Sequence, residues 1–244
     1  MSRPTLNLGL LAALAAAQAA LPVLPRLVRR ASTEEEQARP PEGPLTPPPG
    51  AFAIWGPLFA TSLAYPLVRL RGAARRETGT PDALVALTFA LNSLWTLNSQ
   101  FRRLDALSVA LIGVAATSAT VAVERSTAAD PADRARAALV GPLAGWLTVA
   151  TAANVEAAAN VHRGRPRRAG ETRRAVGLLA GASALLGVQA RRNHGNLPFA
   201  AASGWGLAGI LLKAGRERRA AVAAIALLGL ANLGAAVRSG RTSR

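Results

Sequence analysis

The chain has 244 residues, half of them apolar, yet its formal net charge is +16, with a single lysine, Lys213, among 29 cationic residues. That hydrophobicity excludes disorder, which needs few apolar residues together with charge, and the absence of cysteine excludes thiolate catalysis, thiolate metal sites and disulfides. The arginines fall in short runs between charge-free stretches of bilayer length, so they do not form the basic stripe of a nucleic-acid binder. Such a chain reads as all-α, a polytopic transmembrane helix bundle whose first partner is the lipid bilayer.

The windows free of ionised residues are 4–25, 43–68, 83–101, 106–123, 137–155, 175–190, 195–212 and 220–237. A spanning helix takes about 20 residues, with roughly 17–25 tolerated. About eight spans are therefore expected, with 175–190 a turn short and dependent on packing. In the first window, Arg3, an apolar run and Ala17-Gln18-Ala19 also resemble a secretory signal. Its 22 uncharged residues exceed the usual signal core of about 7–15, which favours an uncleaved helix. Residues 31–50, ASTEEEQARPPEGPLTPPPG, are too charged and proline-rich to span, and long loops of this kind often carry function.

Pro81 and Asp82 suit the first turn of the third helix. Asp105 opens the fourth, and the link 102–105 is so short that the third and fourth spans must be antiparallel neighbours. The pairs Gly141/Gly145 and Gly177/Gly181 fit close helix crossings. Eight spans put both termini on one side. With the termini outside, the inner loops hold 16 basic residues against 13 outside, the arrangement that the positive-inside rule favours.

No catalytic constellation stands out. His162 and His194 sit in arginine-rich loops far apart in sequence and read as solvated, so no metal site is expected. Glu156, at the end of the fifth span, is the one acid near the membrane interior. An interfacial carboxylate and a proton-coupling group are its two readings. Trp55, just past the proline loop, suits an interfacial belt. Trp95, Trp146 and Trp205 fall near the middle of their windows, where an indole packs between helices or lines a cavity. Thr88, Asn92, Trp95 and Ser99 recur at three- and four-residue steps, and Pro142, Trp146, Ala150 and Asn154 every four, so each set shares a helix face. An asparagine facing lipid would leave its amide unpaired, hence both faces should point inward. There they either bond helix to helix or line a ligand pocket.

Three stretches carry a resemblance to a known family. Residues 47–59, PPPGAFAIWGPLF, resemble the proline-rich entry to the second helix of the tryptophan-rich sensory protein family (TspO/MBR, related to the translocator protein). Residues 90–95, ALNSLW, resemble its "LN..W" helix, and 142–154, PLAGWLTVATAAN, its fifth helix. The longer bacterial branch is the nearer match. The resemblance implies a five-helix unit over 1–162 and a C-terminal extension of three membrane helices over 163–244. It also implies a pocket opening toward the first loop, with Trp55, Asn92, Trp95, Pro142, Trp146 and Asn154 at the ligand-binding positions. The family binds tetrapyrroles and other lipophilic molecules. This chain lacks the family's first-loop "WY..L.KP" signature, and Phe59 stands where a leucine–tyrosine pair is common.

The expected function is non-enzymatic binding of a hydrophobic small molecule, tetrapyrrole- or lipid-like, in a bacterial inner (cytoplasmic) membrane, with a sensory, regulatory or transport-linked role. A tetrapyrrole would be a ligand, since no cofactor is expected, and a homo-oligomer is compatible with the sequence. The alternatives are a secondary transporter or exporter, and an assembly subunit of a membrane complex.

Overall fold

The computed structural model describes residues 8–23, 43–72, 80–101, 104–126, 131–163 and 168–242. These residues form eight α-helices: α1 (Leu8–Ala20), α2 (Trp55–Gly72), α3 (Thr80–Phe101), α4 (Ala106–Glu124), α5 (Pro131–Arg163), α6 (Arg168–Arg192), α7 (Leu197–Arg216) and α8 (Ala220–Thr242). No strand occurs among them. The expected all-α membrane bundle is what the chain adopts.

Five helices, α2, α4, α5, α7 and α8, are long and apolar enough to cross a membrane. The windows on α3 and α6 fall short for different reasons. On α3 the polar groups turn inward: Thr88, Asn92, Ser93, Thr96 and Asn98 are all buried. On α6 the arginines lie near the ends, Arg173 and Arg174 in the first two turns and Arg191 and Arg192 in the last. α1 with its short 3-10 extension, Leu8–Val23, is a shorter apolar helix. It packs on α2 and α3 and carries Gln18, from the small-residue stretch, buried within the bundle.

Helix boundaries depart from the charge-free windows where an ionised residue finds a buried partner. α5 runs 33 residues, about 50 Å at 1.5 Å per residue, and takes Asp133, Arg136 and Glu156 inside the helix. The second window, 43–68, behaves oppositely. Pro44, Pro47, Pro48 and Pro49 supply no N–H and push their predecessors out of the helical region. Residues 43–48 are therefore an irregular strap, followed by a 3-10 turn over Pro49–Ile54, and α2 starts only at Trp55.

The chain passes between two ends of the bundle, here called the strap end and the far end. α3 and α4 are the antiparallel neighbours expected. Asp105 caps α4 by accepting the Ser108 amide at 2.9 Å, and Asn98 donates to the Ser108 hydroxyl at 2.7 Å. The C-terminal helices dock in parallel on earlier ones, α7 along α5 and α8 along α6. Glycine permits the first of these. A methyl on Gly141 would lie 2.5 Å from Asn196 Oδ1, and one on Gly145 2.3 Å from the Phe199 carbonyl. Asn196 uses that space to cap α7, accepting the Phe199 amide at 2.8 Å while donating to the Ala137 carbonyl at 3.0 Å. Gly177 and Gly181 differ from the expectation. A methyl on either meets nothing within 4 Å, so this pair marks open space in place of a crossing.

Candidate functional site: an aromatic cluster beneath a proline strap

The sequence is poor in aromatic residues, with 4 tryptophans, 5 phenylalanines and 1 tyrosine, yet half of these rings meet in one place. Trp55 stacks on Trp95 with centroids 6.2 Å apart and on Phe59 at 5.3 Å. Trp146 meets Trp55 edge-on at 6.2 Å and Phe52 at 6.0 Å. These separations lie in the range where aromatic pairs attract beyond simple burial. The cluster is built by α2, α3, α5 and the 3-10 turn. Trp146 is buried, Trp55 and Trp95 are half-buried, and Phe52 keeps 42% of its surface exposed, so one rim is open. Trp55, expected at an interfacial belt, instead joins the central indoles, because the strap delivers the start of α2 beside Trp146.

Polar groups fix the rings. Trp95 Nε1 donates to Asn154 Oδ1 at 3.1 Å, and Asn154 Nδ2 donates back to the Ala150 carbonyl at 2.9 Å. The Trp146 N–H is buried and has no acceptor among the described residues. Asn92 faces inward as expected, but its amide donates to Gln18 on α1 at 3.1 Å and ties α1 to α3. Pro142 lies one helical turn from Trp146, toward the far end, beside the Gly141 contact. Of the six residues singled out in the sequence, Trp55, Trp95, Trp146 and Asn154 come together, while Asn92 and Pro142 flank them.

The strap over 43–54 is held by residues from two helices. Glu156, fully buried on α5, accepts the Leu45 amide at 2.8 Å. Lys213 on α7 donates to the Gly43 carbonyl at 3.1 Å, and Trp205 Nε1 donates to the Ala51 carbonyl at 2.8 Å. A methyl on Gly43 would fall 2.2 Å from the Glu156 carboxylate, and one on Gly209 3.2 Å from Ala51, so glycine lets strap and helices close up. Glu156 is thus a buried anchor, and Trp205, half-exposed at 49%, spends its N–H on the strap backbone. Part of the long loop singled out in the sequence, 31–42, lies outside the described residues.

Glu156 is not the only acid inside the bundle. Asp82 is fully buried at the far end, where its carboxylate accepts from Arg69 at 2.6 Å and from the Tyr65 hydroxyl. Arg136 donates to Tyr65 at 3.1 Å, stands 3.7 Å from Asp82 and pairs with Asp133. Asp82 looks like an ordinary helix-opening residue in the sequence. The available signal was that Arg69, Asp82 and Arg136 each border a charge-free window at the same end of the bundle. Among the described residues no group of three His, Asp or Glu side chains could hold a metal. His162 lies in the last turn of α5, and His194 in the turn between α6 and α7, at opposite ends of the bundle.

Neither a curated protein nor a solved structure matches the chain. A family model described as TSPO-like protein matches residues 5–238, extending the likeness across the three C-terminal helices. The chain is an integral membrane protein that belongs to the TSPO-like protein family.

Proposed function

We propose that this protein binds a hydrophobic small molecule, tetrapyrrole- or lipid-like, at the aromatic cluster, without chemical turnover and with a sensory, regulatory or transport-linked role. The observation that carries the reading is the convergence of Trp55, Trp95 and Trp146 with Phe52 and Phe59 at one half-open rim. A planar, apolar ligand gains most from flat aromatic faces already held in place. The buried Trp146 N–H adds specificity, since an unpaired buried donor costs about 1–3 kcal/mol and a ligand acceptor would remove that cost. Of the two fully buried carboxylates among the described residues on which proton-coupled transport could rest, Glu156 is engaged by the strap and Asp82 by Arg69 and Tyr65, which favours binding over proton-coupled transport. In this reading residues 1–162 form the binding unit and 163–244 an extension that supports it through Trp205 and Lys213. The setting is a bacterial cytoplasmic membrane.

The test is quenching of intrinsic tryptophan fluorescence by protoporphyrin, on the full chain in detergent. Saturable quenching that is lost in Trp95→Phe/Trp146→Phe supports the proposal. Quenching that rises without saturation, or is the same in the double variant, removes it.

A further inference from the structure

We propose that the strap is a lid over the aromatic cluster and that α7, in the C-terminal extension, is its latch. This deepens the binding reading above and rests on it. A ligand at the cluster must reach Trp146, yet Trp146 is only 2% exposed. Something has to move first. The residue at the open rim is Phe52, whose ring meets Trp146 edge-on at 6.0 Å while 42% of its surface stays exposed. Phe52 belongs to the 3-10 turn that ends the strap, so its place follows from where the strap is held.

The strap can leave the helices as one piece. Residues 43–49 contain four prolines, and proline has no N–H, so only three backbone donors remain. Two of them bond inside the strap, the Thr46 N–H to the Gly43 carbonyl at 3.1 Å and the Gly43 N–H to the Thr46 hydroxyl at 3.3 Å. Only the Leu45 N–H reaches a helix, at Glu156. Few polar groups therefore lose a partner when the segment swings away, as local opening requires.

α7 supplies the latch. Trp205, Gly209 and Lys213 recur every four residues and so share one face of the helix. All three meet the strap. The Trp205 N–H donates to the Ala51 carbonyl at 2.8 Å, and Lys213 to the Gly43 carbonyl at 3.1 Å. Between them, a methyl on Gly209 would stand 3.2 Å from Ala51 Cβ and 3.4 Å from Pro47 Cβ, so glycine lets the strap close on the helix. Among the described residues three hydrogen bonds tie the strap to the helices, and two come from this face. Ala51 is the joint, because Trp205 holds its carbonyl and its own peptide bond carries Phe52 onto Trp146.

With the latch closed, only the open fraction of molecules accepts a ligand, and apparent affinity scales with that fraction. Weakening the latch therefore speeds and tightens binding, the opposite of what a damaged site does.

The test uses protoporphyrin and the full chain in detergent, with binding followed by stopped flow at the Soret band. Ala51→Cys/Gly209→Cys puts two thiols at the closest approach of strap and α7, in a chain with no other cysteine. Their Cβ separation is a few tenths of an ångström short of the usual disulfide range of about 3.5–4.5 Å. Oxidised, this pair should bind on the order of tenfold more slowly than when reduced, and dithiothreitol should restore the rate in the same sample. Trp205→Phe should bind about fivefold faster and tighter than the unaltered chain, the worth of one neutral hydrogen bond. Equal rates in the oxidised and reduced pair would mean that Phe52 swings by itself, and would overturn the lid. So would unchanged or weaker binding by a monodisperse Trp205→Phe, which decides alone if the cysteine pair does not yield a monodisperse protein. A missing Soret shift in the unaltered chain and in Trp205→Phe alike removes the binding reading itself, whereas binding without any latch effect removes the lid only.

Discussion

Asp82→Asn tests whether the far-end charge network is a structural tie. The substitution preserves volume and leaves an acceptor for the Tyr65 hydroxyl, so its main effect is to remove one buried negative charge. Arg136 keeps Asp133 as a partner. Arg69, 6% exposed and with Nε already unpartnered, loses its one counter-charge among the described residues. Breaking a buried pair by removing one partner costs about 3–5 kcal/mol. With a single cation left uncompensated, the lower end applies, about 3 kcal/mol. For a chain of this size each kcal/mol lowers Tm by about 2–4 °C, so the variant should melt about 6–12 °C lower in detergent. Arg69→Met combined with Asp82→Asn removes both charges and should recover at least half of that loss, a clear departure from additivity. A single-variant shift below about 2 °C, or a double variant that simply sums its parts, would refute the reasoning.

Alanine at two glycines should act in opposite directions. Gly145→Ala drives a methyl to 2.3 Å from the Phe199 carbonyl and should cost about 1–3 kcal/mol in thermal melts, whereas Gly177→Ala meets open space and should stabilise by about 0.5–1 kcal/mol. Leu45→Cys places the chain's one thiol in the strap itself, at a fully buried position. Adding Trp205→Phe deletes one strap hydrogen bond worth about 1 kcal/mol and should speed maleimide labelling about fivefold; an unchanged rate would mean that the strap does not depend on α7. Asn154→Leu orphans the Trp95 N–H, which should cost about 1–3 kcal/mol and show as a lower melting temperature with altered tryptophan emission.

Charge located most helices because helix ends in this chain coincide with ionised residues. The window 106–123 became Ala106–Glu124, and 220–237 became Ala220–Thr242. The inward polar faces of α3 and α5 were legible too, since a four-residue step fixes a side before any partner is known. What periodicity could not supply was pairing across long separations. That Asn154 meets Trp95, that Asn92 meets Gln18, and that Trp205 reaches the Ala51 carbonyl depend on how helices dock, which spacing within one helix does not encode. Gly177 and Gly181 show the same limit from the other side, as small residues mark room for a neighbour whether or not the chain provides one. The strap departed from its window because prolines break a helix locally even where no charge interrupts the run.

The most direct test of ligand binding at the aromatic cluster reads the ligand itself, by titrating protoporphyrin with the full chain and following its Soret band. Losing two stacking indoles, each worth about 0.5–1.5 kcal/mol beyond burial, should weaken binding by Trp95→Leu/Trp146→Leu about tenfold or more. Phe101→Leu, whose exposed ring lies outside the cluster, should stay within about threefold of the unaltered chain. A Soret shift of equal affinity in all three proteins, or none in the unaltered chain, would contradict the assignment.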